Sequence, residues 1–335
     1  MGENSIPTPP GLGGRGPFSG RGVGHHGPAV VALGGGHGLS TSLKALRRLT
    51  DDVTAVVGVA DDGGSSGRIR GELGLPPPGD LRMALAALCG DDAWGRTWSQ
   101  VMQHRFGGQG EMAGHATGNL LIAALWEETG SVVVGLDWVA ALLGAHGRVL
   151  PVATVPLDIV ADVRGADPTR PDEVTTIVGQ VELERSPGSV VSLRVEPANP
   201  PACPEAVEAI GGAQAIVLGP GSWYTSVLPH LLVPGVREAL AEAAASRILV
   251  LNLDGRNASF SGGVESTQSF TSARYLNVWH DQFPEVDLDF VLADPRCVDD
   301  IDQLEAAGRR ANAELVLERV SVSQRDTRST TPRHD

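Results

Sequence analysis

This 335-residue chain has no metal-ligand or disulfide spacing, no long apolar run and no surplus of positive charge, and each absence excludes a class of function. The three cysteines, Cys89, Cys203 and Cys297, are scattered and form no CxxC pair, so they read as plain structural thiols rather than a disulfide framework or a zinc site. The longest apolar stretch, Ser131 to Ala145, is broken by Asp137 and falls short of the roughly 20 residues a membrane span requires. No continuous apolar h-region marks a secretory signal, which makes the cytoplasm the expected location. A formal net charge of −14 argues against binding to nucleic acid or an anionic membrane surface.

Two nucleotide fingerprints are missing as well. Glycines stand at Gly34, Gly35, Gly36 and Gly38, but counted from Gly36 the last glycine of GxGxxG is replaced by Thr41. No GxxxxGK[ST] is present, so ATP hydrolysis of the P-loop kind is unsupported.

A hydrophobic content of 41% supplies a substantial core. The first 27 residues are rich in glycine, proline and polar residues and are expected to be a disordered tail, within which His25 and His26 read as solvated. Residues 28–320 are expected to form one domain, and 321–335 a polar tail whose serines and threonines are compositional candidates for modification. Ala29 to Leu33 reads as a buried strand, Leu39 to Leu49 as a helix with Leu39, Leu43, Leu46 and Leu49 on its apolar face, and Val53 to Ala60 as a second strand. Strand, helix, strand over about 30 residues is a βαβ unit, which favours a parallel sheet. Further on, Leu81 to Cys89 is expected to be a helix capped by Asp80, and TTIVGQVELER and Ala215 to Leu218 are expected to be strands. RILVL and Val286 to Ala293 read as later strands, and Asp254 to Ser272 as a polar segment. The alternation defines an α/β fold with a mostly parallel sheet and helices on both faces.

Three glycine-rich transitions fall at strand ends, Gly34 to Ser40, Asp61 to Arg68 and Gly219 to Ser226, where parallel sheets bind ligands. Glycines there let the backbone approach a ligand, and helix starts favour phosphate. Asp61 and Asp62 can hydrogen-bond a ribose or hold Mg²⁺ against a phosphate. Gly63, Ser65 and Gly67 satisfy GxSxG, yet the tandem aspartates just before the serine disfavour an oxyanion, so a hydrolase is not expected. Asp80 and Arg82 place a carboxylate and a guanidinium at a helix start, His115 and Asn119 flank another, and Asn252 follows a strand.

The segments GGGHGLS, VADDGGSSGR, PPPGDLR, GHATGNLL, VLP and VLGPGSWYTSVLPHLLVPG, in this order, resemble the YvcK-type gluconeogenesis factor family within the CofD-like (2-phospho-L-lactate transferase-like) superfamily. The resemblance covers roughly Pro28 to Asp294 and implies a CofD-like Rossmann-like fold, a cytoplasmic location and binding of UDP-sugars such as UDP-N-acetylglucosamine. It further implies a link to cell shape, cell-wall synthesis and growth on gluconeogenic carbon sources. Carried over by motif, the ligand site would use Gly35, Gly36, Gly38, Leu39, Ser40, Asp61, Asp62, Ser65, Ser66, Asp80, Arg82, His115 and Asn119. Gly219, Gly221, Ser222, Thr225 and Asn252 would complete it, with Asp62 as the Mg²⁺ candidate.

The chain departs from the family pattern at His37, where threonine is usual, and in LDGRNASFSGGVESTQ, which replaces TQxGET. Arg274 and Tyr275 stand where Asp-His is common, and the chain stops at Asp335 where relatives often continue into a helix. The expectation is a small-molecule nucleotide-sugar-binding regulator, with homo-oligomers and regulatory protein partners as further expectations, rather than an enzyme, because no nucleophile, base and orienter assemble from the sequence. The alternatives are a Mg²⁺-dependent transferase moving a phospholactyl-like group onto a deazaflavin alcohol, and an NAD(P)-binding protein.

Overall fold

The structure is a computed structural model that describes residues 27–253 and 271–320. The expected tails, with His25 and His26, and nearly all of the polar segment from Asp254 to Ser272 lie outside the described residues. The first half contains β1 (Val30–Gly34), α1 (Gly36–Leu46), β2 (Val53–Val57), α2 (Gly64–Leu73), α3 (Gly79–Ala87), α4 (Ala93–Gln103), α5 (Thr117–Thr129), α6 (Val132–Leu143) and β3 (Arg148–Pro151). Next come β4 (Asp158–Arg164), β5 (Val174–Val178), α7 (Gln180–Arg185), β6 (Ser189–Glu196) and α8 (Pro204–Gly212). The remainder holds β7 (Ala215–Leu218), a π-helical turn (Trp223–Val227), α9 (Leu228–Leu231), α10 (Pro234–Glu242), β8 (Ser246–Val250), α11 (Ser272–Gln282), β9 (Phe290–Ala293), α12 (Ile301–Arg310) and β10 (Glu314–Leu317).

Seven strands form one parallel sheet in the order β10-β9-β8-β7-β1-β2-β3. Its strands are short apolar runs because a parallel sheet is covered on both faces: every residue of β1 is buried, as are Ala55, Val56 and Val57 of β2. Each buried valine or leucine side chain among them is stabilised by about 1.5–3 kcal/mol relative to leaving it in water. The chain winds outward from β1 through β2 to β3, and later outward the other way from β7 to β10. Right-handed crossovers in opposite directions put helices on opposite faces and leave a crevice between the carboxyl ends of β1 and β7.

A separate antiparallel sheet, β5-β4-β6, is inserted between β3 and α8. Among the described residues no helix is long and apolar enough to cross a membrane.

The sequence pattern locates β1 and β7 well, but three expectations are corrected. TTIVGQVELER is not one strand: β5 ends at Val178, Gly179 turns the chain with φ 99°, and the helix-favouring Gln, Glu, Leu and Arg that follow form α7. Leu49 is 72% exposed rather than on a buried face, because α1 ends three residues earlier. Asp80 is not an N-cap, since Pro78 takes that position and Asp80 lies in the first turn of α3.

Candidate functional site

The loops after β1, β2 and β7 meet at the crevice, and the contacts there explain the glycines that read as ligand-facing. A Cβ on Gly38 would lie 1.9 Å from the Pro220 carbonyl oxygen, so α1 begins directly against the loop after β7. A Cβ on Gly35 would lie 2.4 Å from the Asp80 carboxylate, which also accepts a hydrogen bond from the Gly36 N–H. These two glycines therefore serve internal close approach. Leu39 and Ser40 are buried behind them, whereas His37 is exposed at the lip. The α1, α2, α3 and π-helical starts have no side-chain cap, as is true of every described helix except α4, α6 and α12, which are capped by Asp92, Ser131 and Asp300. Uncapped N–H groups at a helix start attract anions.

The tandem aspartates point to different partners. Asp61 Oδ1 accepts from the Gly63 N–H at 2.9 Å, and its other oxygen packs on Gly79 of the PPPGD turn, next to the buried Ser66. Asp62 Oδ1 accepts from the Val181 N–H at 3.0 Å, and its second oxygen would sit 2.2 Å from a Cβ on Gly179. Asp62 thus anchors the first turn of α7, whereas Asp61 faces Asp80. Burial and the neighbouring Asp61 push the Asp80 carboxyl up to about 7, only partly countered by the Gly36 N–H and Arg82.

A third carboxylate, Glu184 of α7, is also raised by burial and by Asp61 and Asp62. Its Oε1 accepts from Gln180 and from Thr225 Oγ1, each at 3.1 Å. No motif singles out Glu184, because its segment reads as a strand and because it enters from the insertion between β5 and β6.

Behind this acidic surface lies a buried polar cluster joining the SSGR, PGDLR and GHATGN segments. Arg82 Nε donates to Asn119 Oδ1 at 2.8 Å, and its Nη1 donates to Gln103. Asn119 Nδ2 and the Ala116 N–H donate to Ser65 Oγ at 3.0 and 3.3 Å. Those two donors fill the hydroxyl's acceptor positions, so its one proton goes to His115 Nδ1, 3.0 Å away. His115 is thereby neutral with its proton on Nε2, in keeping with a pKa lowered by burial and by Arg68. A Ser65 oxygen with both lone pairs engaged is a structural hub and gives no support to a hydrolase.

On the far wall, Gly219 accepts from Ser42 Oγ at 3.0 Å, and Asn252 Nδ2 donates to the Gly221 carbonyl at 2.7 Å. Asn252 therefore holds the GPGS loop in place, with Gly221 and Ser222 partly exposed at its tip. Below them Trp223 packs on Tyr275 and Trp279, with ring centroids 4.9 and 6.1 Å apart. The turn Trp223–Val227 is π-helical, with the Leu228 N–H donating to the Trp223 carbonyl just before Pro229.

This geometry has counterparts in known proteins. A family model described as 2-phospho-L-lactate transferase CofD matches residues 30–322. The crystal structure of a member of the UPF0052 family from Bacillus halodurans superposes with a TM-score of 0.78 at 30% identity, covering 92% of this chain and 96% of that one. The fold is that of CofD-like proteins. Among curated relatives, a putative gluconeogenesis factor of Mycobacterium leprae is 53% identical over 251 residues, which is 75% of this chain and 68% of the relative. Its counterpart in Mycobacterium tuberculosis is 55% identical over 235 residues, 69% of this chain and 68% of the relative. The gluconeogenesis factor of Halalkalibacterium halodurans is 33% identical over 289 residues, 86% of this chain and 84% of the relative. The chain belongs to the gluconeogenesis factor family.

Proposed function

We propose that this chain is a cytoplasmic regulatory protein that binds a UDP-sugar, with UDP-N-acetylglucosamine as the representative ligand, and acts on cell shape, cell-wall synthesis and growth on gluconeogenic carbon sources. The observation that carries the reading is the meeting of three glycine-rich strand-end loops and their uncapped helix starts at one crevice of a doubly wound sheet. Ligand occupancy would order these loops and alter a surface read by a partner protein. Calorimetric titration of the pure protein with UDP-N-acetylglucosamine tests it: saturable heat is expected, and none at millimolar ligand, with or without Mg²⁺, overturns it.

The carboxylates favour a second reading, a Mg²⁺-dependent phospholactyl transferase acting on a deazaflavin alcohol. Mg²⁺ is commonly held by one or two carboxylates together with substrate phosphates and water. Asp61 and Asp80 fit that role; Asp62, spent on α7, fits it poorly. No group of three His, Cys, Asp or Glu suited to a metal occurs among the described residues. Product formation from the activated donor, lost in Asp80→Asn, would establish this activity, and an NAD(P) role is disfavoured by the incomplete GxGxxG.

A further inference from the structure

The inserted sheet has β5 and β6 at its two edges, and the two edges are built differently. β6 carries a bulge: its register steps from Val190 opposite Val163 to Ser192 opposite Asp162, which leaves Val191 without a residue across from it. It also bears Arg194, which ion-pairs with Asp162 and Glu196. Bulges and charges are the devices that keep an edge strand from pairing with another chain. β5 has neither. Val174, Thr175, Thr176, Ile177 and Val178 keep an unbroken register against β4, carry no charge and are all β-branched. Every one of them except Ile177 is exposed, Val174 by 47% and Val178 by 55%.

Two hydrogen bonds fix which backbone groups of β5 face outward. The Glu173 carbonyl accepts from the Gly165 N–H just before the strand, and the Gly179 N–H donates to the Ile159 carbonyl just after it. Antiparallel bonding to one neighbour recurs at every second residue, so 173, 175, 177 and 179 turn their backbone groups to β4. Val174, Thr176 and Val178 turn theirs to the outer edge, where no partner takes them among the described residues.

We propose that the β5 edge is a self-association surface, on which a second copy of this chain adds its own β5 antiparallel about a two-fold axis at Thr176. Only this register engages every outward group: Val174 meets Val178 of the second copy, Thr176 meets Thr176 and Val178 meets Val174, each pair exchanging two N–H···O bonds. The side chains match in the same register, valine against valine on one face and Thr175 against Ile177 on the other. Glu173 falls opposite Gly179, so a chain with a formal net charge of −14 sets no acid against its own copy within the ladder. A peptide of different sequence would gain the backbone bonds without these matched pairs, and β5 presents no charge to select one. An edge of this length makes a small interface, so the dimer is reversible and concentration-dependent. None of this rests on the UDP-sugar reading.

Sedimentation velocity of the full chain over a concentration series tests it. Wild type is expected to pass from monomer to dimer as concentration rises. Val174→Lys/Val178→Lys and Val174→Glu/Val178→Glu, which set like charges opposite each other, should each lose the dimer, and an equimolar mixture of the two should regain it. Val191→Lys, a change at a valine 50% exposed on β6, should leave the dimer unchanged. Hydrogen exchange on wild type needs no substitution: the amides of Val174, Thr176 and Val178 should slow with rising concentration while those of β6 do not. The proposal is overturned by a wild type that stays monomeric, by a dimer that survives the paired lysines or is lost equally in Val191→Lys, or by a mixture that stays monomeric although both variants are folded by circular dichroism. Exchange at those three amides that does not change with concentration overturns it as well.

Discussion

The buried cluster around Arg82 and the carboxylate surface around Asp80 lie side by side and handle polarity in opposite ways. In the first, nearly every donor meets an acceptor: Arg82 to Asn119, Asn119 to Ser65, Ser65 to His115. In the second, Asp61 and Glu184 raise the proton affinity of Asp80, and Asp61 and Asp62 raise that of Glu184. A satisfied cluster fixes the fold, whereas like charges held close are a cost the protein carries until something else enters. Residues named by one sequence motif, such as Asp80 and Arg82, therefore divide between two different jobs.

The largest expected effect comes from breaking the satisfied side. Asn119→Leu strips both the acceptor of Arg82 and a donor to Ser65, and should lower unfolding stability by about 3 kcal/mol, read from the shift in urea midpoint at constant m-value. A shift below about 1 kcal/mol would mean the cluster is held together by water or packing.

Next comes the like-charged side, where the sign reverses. Asp80 titrates near 3.8 in the unfolded chain and near 7 in the fold, so the folded state binds more protons between those values. Wild-type stability should fall as pH rises through that window and level off above it. Asp80→Asn should remove that slope and exceed wild type above pH ~7 by on the order of 2 kcal/mol, checked by urea unfolding from pH 4 to 9. Equal slopes in the two proteins would show that Asp80 is not under strain. The smallest effect should come from Glu184→Gln, which removes one of the charges raising Asp80. The inflection of the same stability profile should move toward lower pH, with the fold intact by circular dichroism.

The contrast also explains what could be seen in the chain itself. Local signals locate the centre of the parallel sheet: the buried runs of β1 and β7 are apolar enough to be read directly, and glycines mark their ends. Long-range pairings were invisible. Asp62 reaches residue 181, 119 positions away, and so anchors the first turn of the helix that carries Glu184. The glycines of the first loop looked like ligand contacts, because nothing in a sequence tells a close ligand from a close neighbour such as Pro220 or Asp80. The β6 and β10 strands carry too many exposed or half-buried positions to stand out.

Asp61 and Asp62 share one peptide unit, and consecutive Cα atoms across it are about 3.8 Å apart. One side chain grips the turn that begins α3, and the other grips the helix of the inserted sheet. That peptide accordingly ties the helix of the insertion to the carboxylate at the crevice, so a change in the position of either is felt by the other.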